Sequence, residues 1–307
     1  MQIKEIYVYP VKSLRGIKVT EVKVEKHGFQ YDRIYMLALP TADPKVVKFV
    51  TQREEPKLVK VTQRLEGDSI VLYNEEAGKE LRLPADPTAH VEGLNVVNVD
   101  VWGGLVESYD IGPTIANFSE FWHELLGPKY AKLTILARKT SRPLDPNRFK
   151  SEDLTKMDYT PETTFQDGVP ANLICSASLE TLQLRVNVQT EGIELSAENF
   201  RPNLVVETED PFEEDDWDKI KISGDLWIIT DLCRRCQMPT VNVERGEFEK
   251  SKQPTRALNQ FRKVDYKHPS DPCFGLELYP SKYGQTVRVG DSVKVASKID
   301  RPMPSDF

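Results

Sequence analysis

At 307 residues with a formal net charge of −7, the chain can bury one large core or two closely packed ones, and its acidic balance excludes a general electrostatic grip on nucleic acid or an anionic membrane. Four cysteines are too few for a disulfide scaffold and fit a reducing compartment. No apolar run approaches the roughly 20 residues of a membrane helix, and the opening Met-Gln-Ile-Lys-Glu-Ile lacks signal- or transit-peptide character, so a soluble, cytoplasmic protein without an integral membrane segment is expected.

From that opening, which is already strand-like, the chain moves to Ile17–Val24, where apolar and polar residues alternate at the period of a half-buried strand. Similar runs follow at Arg33–Leu39, Leu58–Thr62, Ile70–Tyr73, Glu80–Leu83 and Val96–Trp102, separated by turn-rich pieces such as Ala42-Asp43-Pro44. Many short strands at this spacing suggest a barrel or a sandwich. The period changes after Pro113: Ile115, Phe118, Phe121, Trp122, Leu125 and Leu126 share one helical stripe, which Gly127-Pro128 ends. The polar, Pro-bearing stretch from Lys139 to Thr164 reads as a long connection. It divides the chain into residues 1–138, a β-rich half with one helix, and residues 139–307.

In the second half Ala171–Cys175 reads as a strand, with Ser176 or Ser178 capping a short helix that carries Leu179, Leu182 and Val186. Strands are expected again at Asn203–Glu207, Lys219–Ile222 and Leu226–Asp231. A short helix over Thr255–Arg262 precedes closing strands at Phe274–Leu278 and Thr286–Val295. The acidic run from Glu207 to Asp218 reads as a solvated loop, since it lacks the spaced oxygen ligands and sharp-turn Gly of a calcium loop.

The chemistry concentrates in Cys233-Arg234-Arg235-Cys236 followed by Gln237-Met238-Pro239-Thr240-Val241. Two cysteines at C-x-x-C spacing after a strand admit half of a zinc site, a redox dithiol, a thiolate for a softer metal, or a buried structural pair. The scattered His27, His90, His123 and His268 offer zinc no second pair of ligands. The extended Met-Pro-Thr-Val that follows is unlike the helix opened by a thioredoxin-type dithiol. Arg234 and Arg235 place positive charge beside both sulfurs, which favours the thiolate.

Taken together and in this order, Tyr9-Pro10-Val11-Lys12-Ser13, Asp32-Arg33, Asn199-Phe200-Arg201-Pro202-Asn203, the C-x-x-C segment with Pro239-Thr240-Val241, and Val289-Gly290-Asp291 resemble the MOSC family, in particular the mitochondrial amidoxime-reducing components. The resemblance covers nearly the whole chain. It implies an α+β, mostly β, protein in which an N-terminal β-rich MOSC domain packs on a C-terminal MOSC β-barrel, with a molybdenum-molybdopterin cofactor between them. By the same resemblance Cys236 is the molybdenum ligand and the catalytic thiolate. Lys12, Ser13, Arg33, Arg201 and Asn203 match family positions around the phosphate-bearing pterin, and Arg suits phosphate because its planar fork binds bidentately. Asp167, Arg234 and Arg235 are placed in the same cofactor site. Read singly, each of these residues is also a plain surface Lys, turn Ser or paired Arg. Two departures stand out: Asp167-Gly168-Val169-Pro170 replaces the usual Asp-Thr-Ser-Pro, so backbone amides would have to serve for two missing hydroxyls, and Arg234 replaces a Ser.

The activity implied is reduction of N-hydroxylated compounds such as amidoximes and hydroxylamines. The four cysteines leave none for an iron–sulfur cluster, so electrons are expected from an external donor, for which the resemblance suggests cytochrome b5 and its flavin reductase. It also leaves association with mitochondria open beside the cytoplasm. The rival function is a non-redox molybdenum-cofactor binding or sulfur carrier protein, since MOSC domains also end molybdenum-cofactor sulfurases. A third is a β-barrel module that binds no metal.

Overall fold

Strand Gln2–Val8 enters a sheet whose other strands come mostly from the far end of the chain. The computed structural model describes residues 1–155, 157 and 159–300. Lys156 and Asp158, within the expected connection, and residues 301–307, the end of the expected second half, lie outside the described residues.

The first half contains a closed five-stranded barrel of Val96–Val101, Gly104–Asp110, Thr134–Arg138, Tyr35–Pro40 and Val46–Phe49. Its neighbours pair antiparallel except at the closure, where Val96–Val101 runs parallel to Val46–Phe49. Met36, Ala38, Val99, Val101, Val106, Leu136 and Phe165 form one buried cluster there. Outside the barrel, a three-stranded meander, Val61–Glu66, Ser69–Asn74 and Lys79–Pro84, shares a core with helix Phe118–Leu126. The helix turns Phe118, Phe121, Trp122 and Leu125 inward. It ends where Gly127 takes φ +76°, a left-handed conformation that costs Gly little.

The second half is built on an eight-stranded sheet in the order Ile17–Val19, Gln2–Val8, Leu204–Glu207, Ala171–Cys175, Cys273–Pro280, Asp225–Arg234, Trp217–Ile222 and Val293–Lys298. The sheet curls, and a small sheet pairing Thr286–Arg288 with Glu21–Glu25 joins the continuations of its two edge strands. Trp217, Trp227, Phe29 and Leu276 belong to one core cluster of this sheet. A second cluster joins Ile174, Val205 and Phe274 of its strands to helices Ser176–Gln189, Ala197–Phe200 and Thr255–Phe261. Ser176–Gln189 is the crossover that lets Ala171–Cys175 and Leu204–Glu207 pair in parallel.

Several expected elements differ. Leu58–Thr62 begins as a 3-10 turn, Pro56–Lys60, because Pro56 starts it, and only Val61–Glu66 is strand. Ile17–Val24 breaks at Thr20 into strands of two different sheets, and Thr286–Val295 breaks around Gly290, φ +89°. The helix after Ala171–Cys175 runs 14 residues with neither serine as its cap. Ser178 instead accepts the Phe212 N–H at 2.8 Å and donates to Glu214 at 2.9 Å. The acidic run is thus not simply solvated: Glu214 is fully buried, and Asp215 makes a bidentate pair with Arg262. Strands Gly104–Asp110 and Thr134–Arg138 had no clear alternation to announce them. No helix among the described residues is long and apolar enough to cross a membrane.

Candidate functional site

A cleft of about 220 Å³ lies where the two halves meet, lined by Lys12, Ser13 and Arg33 from the first and by Asp167, Arg201, Asn203 and Cys236 from the second. A larger hollow of about 970 Å³ occurs in the first half, but its Arg82 and Arg138 are paired with Glu66, Glu80 and Glu25 and it contains no cysteine. The small cleft is therefore the chemically distinctive one.

Cys236 follows the end of strand Asp225–Arg234 and is the one exposed cysteine of the four; Cys175, Cys233 and Cys273 are buried. Its Sγ accepts from Arg53 Nε at 3.4 Å and from the Met238 N–H at 3.5 Å. The sequence placed Arg234 and Arg235 beside both sulfurs; the structure puts Arg53 in contact with Cys236, while the Arg235 charge acts on Cys233. Arg235 spends its donors on the Phe274 carbonyl (2.8 Å), the Phe200 carbonyl (2.7 Å) and Asn172 Oδ1 (3.1 Å), while Arg234 reaches Asp271 at 3.7 Å. Burial pushes the Cys233 thiol up to about 11, and the Arg235 charge offsets that only in part. The two cysteines of the motif thus differ: Cys233 is a packed thiol and Cys236 an open one.

Arg53 reaches the sulfur from the first half, and its Nη2 also donates to Asp167 Oδ2 at 2.9 Å. Asp167 accepts as well from Lys12 Nζ and, at 3.0 Å, from Trp102 Nε1. Burial pushes the Asp167 carboxyl up, but Lys12 and Arg53 together hold it well below the usual carboxylate range. At Lys12 the balance is the reverse: burial outweighs the single ion pair and lowers the ammonium. Lys12 Nζ also donates to the Phe165 carbonyl at 2.6 Å and lies 5.5 Å from the Phe49 ring centroid.

Arg33 and Arg201 both lie on the Tyr9 ring, at 4.2 and 4.4 Å from its centroid. Arg33 Nη1 donates to both Asp32 oxygens at 2.6 and 2.7 Å, and Arg201 Nη1 to the Leu14 carbonyl at 2.7 Å. Burial pulls the Arg201 guanidinium down to about 10, still charged at neutral pH. Asn203 is buried and fully engaged, donating to the Tyr7 carbonyl (3.1 Å) and Asp32 Oδ1 (3.0 Å) and accepting the Asn172 N–H (3.2 Å). It acts as a brace between the halves. Ser13, Arg33 and Arg201 have φ values of 71°, 49° and 53°, a left-handed backbone unusual for residues with a Cβ. Such strain collects at functional sites because the surroundings must enforce it.

Gly168 is determined by its neighbour. A Cβ there would come within 2.6 Å of Glu277 Oε1, so any side chain at position 168 requires the Glu277 carboxylate to move. Glu277 lines the cleft and donates nothing; its Oε2 accepts from Arg148 at 2.7 Å, while burial raises its pKa. Arg53, Trp102, Asn172 and Glu277 were not picked out from the sequence, where no local pattern marks them. Among the described residues no group of three or more His, Cys, Asp and Glu side chains could hold a metal unaided. A metal at Cys236 would therefore take at least part of its ligand set from a cofactor or solvent.

Residues 1–126 match the MOSC N-terminal beta barrel domain and residues 160–294 the MOSC domain. Over 95% of its length the chain is 28% identical to mitochondrial amidoxime reducing component 2 of Rattus norvegicus, covering 82% of that protein. Over the same shares it is 27% identical to mitochondrial amidoxime-reducing component 1 of Homo sapiens. Its identity to the component 1 protein of Danio rerio is 28%, over 95% of this chain and 83% of that one.

Proposed function

This chain belongs to the MOSC-domain family, and on that premise we propose that it is a molybdenum-cofactor-dependent reductase of N-hydroxylated compounds. The observation that carries the reading is the open Cys236 thiol, set among cations at the junction of the two halves. The donor set suits the cofactor: one accessible soft ligand for the metal, and Lys12, Arg33 and Arg201 at the same cleft for an anionic, phosphate-bearing pterin. Arg201 commits Nη1 to the Leu14 carbonyl, which fixes the guanidinium plane before any ligand arrives. Arg53 donates its Nε to the Cys236 sulfur, setting a cation against the atom that would hold the metal.

When bound, the molybdenum cofactor supplies the two-electron chemistry. Overall, the N–O bond breaks, two electrons and two protons enter, nitrogen keeps an N–H and oxygen leaves as water. Amidoximes and hydroxylamines are the substrate class, and electrons come from an external donor, cytochrome b5 with its flavin reductase. Asp167, held ionised between Lys12 and Arg53, ties the Lys12 ammonium to the guanidinium that meets the sulfur.

The test is expression in a host that makes the cofactor, followed by elemental analysis and turnover of benzamidoxime with a reduced dye. Near-stoichiometric molybdenum and amidine formation are expected, and both are lost in Cys236→Ser. Well-folded protein that takes up no molybdenum, or a Cys236→Ser variant that keeps it, overturns the reading. Molybdenum without turnover would instead favour a carrier.

A further inference from the structure

Trp102 occupies the tip of the barrel hairpin, in the two-residue turn between the paired Val101 and Gly104. It has φ 56° and is followed by Gly103 at φ 87°, the conformation in which hairpins ordinarily place Asn-Gly. A bulky aromatic at the first of these positions is disfavoured, and there it also leaves 56% of its surface exposed. Burial therefore does not explain the residue. Its polar contacts are with cleft residues: Nε1 donates to Asp167 Oδ1 at 3.0 Å and the Arg53 guanidinium lies 5.0 Å from the ring centroid, while Phe49 of the barrel meets the indole edge-on at 5.5 Å. Arg53 and Asp167 are the groups that organise the Cys236 sulfur. The hairpin thus holds an oriented, half-open aromatic surface one residue away from the thiol.

Resting on the reductase reading above, we infer that Trp102 is a substrate platform selecting flat, π-conjugated N-hydroxylated compounds, aryl amidoximes above all. A planar amidoxime conjugated to an aryl ring stacks on an indole face, whereas an alkyl analogue with the same N–OH group offers less surface. The strained turn and the Asp167 hydrogen bond fix the indole, so little freedom is lost when a flat ligand arrives.

The experiment uses the cofactor-loaded full chain and two readouts. Of the four tryptophans, Trp122, Trp217 and Trp227 are at most 1% exposed, so a ligand that stacks on Trp102 changes one emitter. Benzamidoxime titrated without reductant should give saturable quenching that Trp102→Ala abolishes, and acetamidoxime little. In turnover, the ratio of kcat/KM for benzamidoxime to that for acetamidoxime should fall about tenfold in Trp102→Ala and be largely restored in Trp102→Phe, which keeps a ring but loses the hydrogen bond. Molybdenum content must match wild type in both variants; its loss in Trp102→Phe would assign the indole N–H and its Asp167 bond to holding the cofactor and overturn the proposal. Turnover with an unaltered ratio, or quenching that survives Trp102→Ala, also overturns it while leaving the reductase reading standing. Saturable Trp102-dependent quenching in a protein that reduces neither compound upholds the platform and removes the reductase.

Discussion

Glu214 shows how a residue in an acidic run is turned to a structural end. Burial, and then the neighbouring Asp215 charge, lift its carboxyl to about 7, while Ser178 donates to one of its oxygens. The folded carboxyl thus titrates above the unfolded one, which sits near 4.3. Its contribution to stability is full below about pH 4.3 and is lost as pH rises through about 7, because the fold must then hold a buried charge. Glu214→Gln removes that charge and is expected to reduce the loss of stability between about pH 5 and about pH 8 by roughly 2 kcal/mol, read by urea unfolding at both values. An unaltered pH profile would show that Glu214 is not the group titrating there. At the cleft the arginines differ in their partners: Arg235 donates to the Phe274 and Phe200 carbonyls and, among the described residues, has no carboxylate partner in contact, whereas Arg33 is paired with Asp32 and Arg53 with Asp167.

Strand Cys273–Pro280 and the segment around Gly168 are fitted to one another. Glu277 is the half-buried position in an otherwise buried strand, and its carboxylate fills the space that a side chain at 168 would need. Gly168→Ser should therefore push the Glu277 carboxylate off Arg148 and cost about 1–3 kcal/mol, the usual range for overpacking. The same change in a Glu277→Ala background should cost much less, so the double-mutant cycle should return a coupling of about 1 kcal/mol or more. Equal costs in the two backgrounds would mean the contact is not what excludes a serine.

Across the whole molecule, residues 1–30 tie the halves together. Gln2–Val8 fills a position inside the eight-stranded sheet between Ile17–Val19 and Leu204–Glu207, and Val24 and Phe29 join the core around Trp227. The cleft adds cross-links between halves, including Arg15 with Glu198 at 3.0 Å and the Tyr9 hydroxyl with the Pro202 carbonyl at 3.1 Å. Residues 139–307 alone should expose Leu204–Glu207 as an unpaired edge and fail to unfold cooperatively, while adding residues 1–30 as a separate peptide should restore a transition. The intact chain should give one calorimetric peak. Two separated peaks, or a cooperative transition in the fragment without the peptide, would refute this.

Local pattern was enough to read Ser69–Asn74, Lys79–Pro84, Ala171–Cys175 and Phe118–Leu126, because a side-chain period of 2 or 3.6 states which face is buried whatever it is buried against. It was enough to mark Cys233 and Cys236 as a pair, since two cysteines at that spacing are visible without a fold, while the choice of Cys236 between them came from the resemblance. Resemblance extended this to the β-rich architecture and to the pairing of an N-terminal with a C-terminal MOSC domain. It could not show that Ile17–Val24 is shared by two sheets, nor which cation meets the sulfur: Arg53 and Cys236 stand 183 positions apart. Nor did Trp102, alone in a turn, carry any mark of its use. Partner choice between distant segments depends on which strands close the barrel and the curled sheet, and only the folded chain decides that closure.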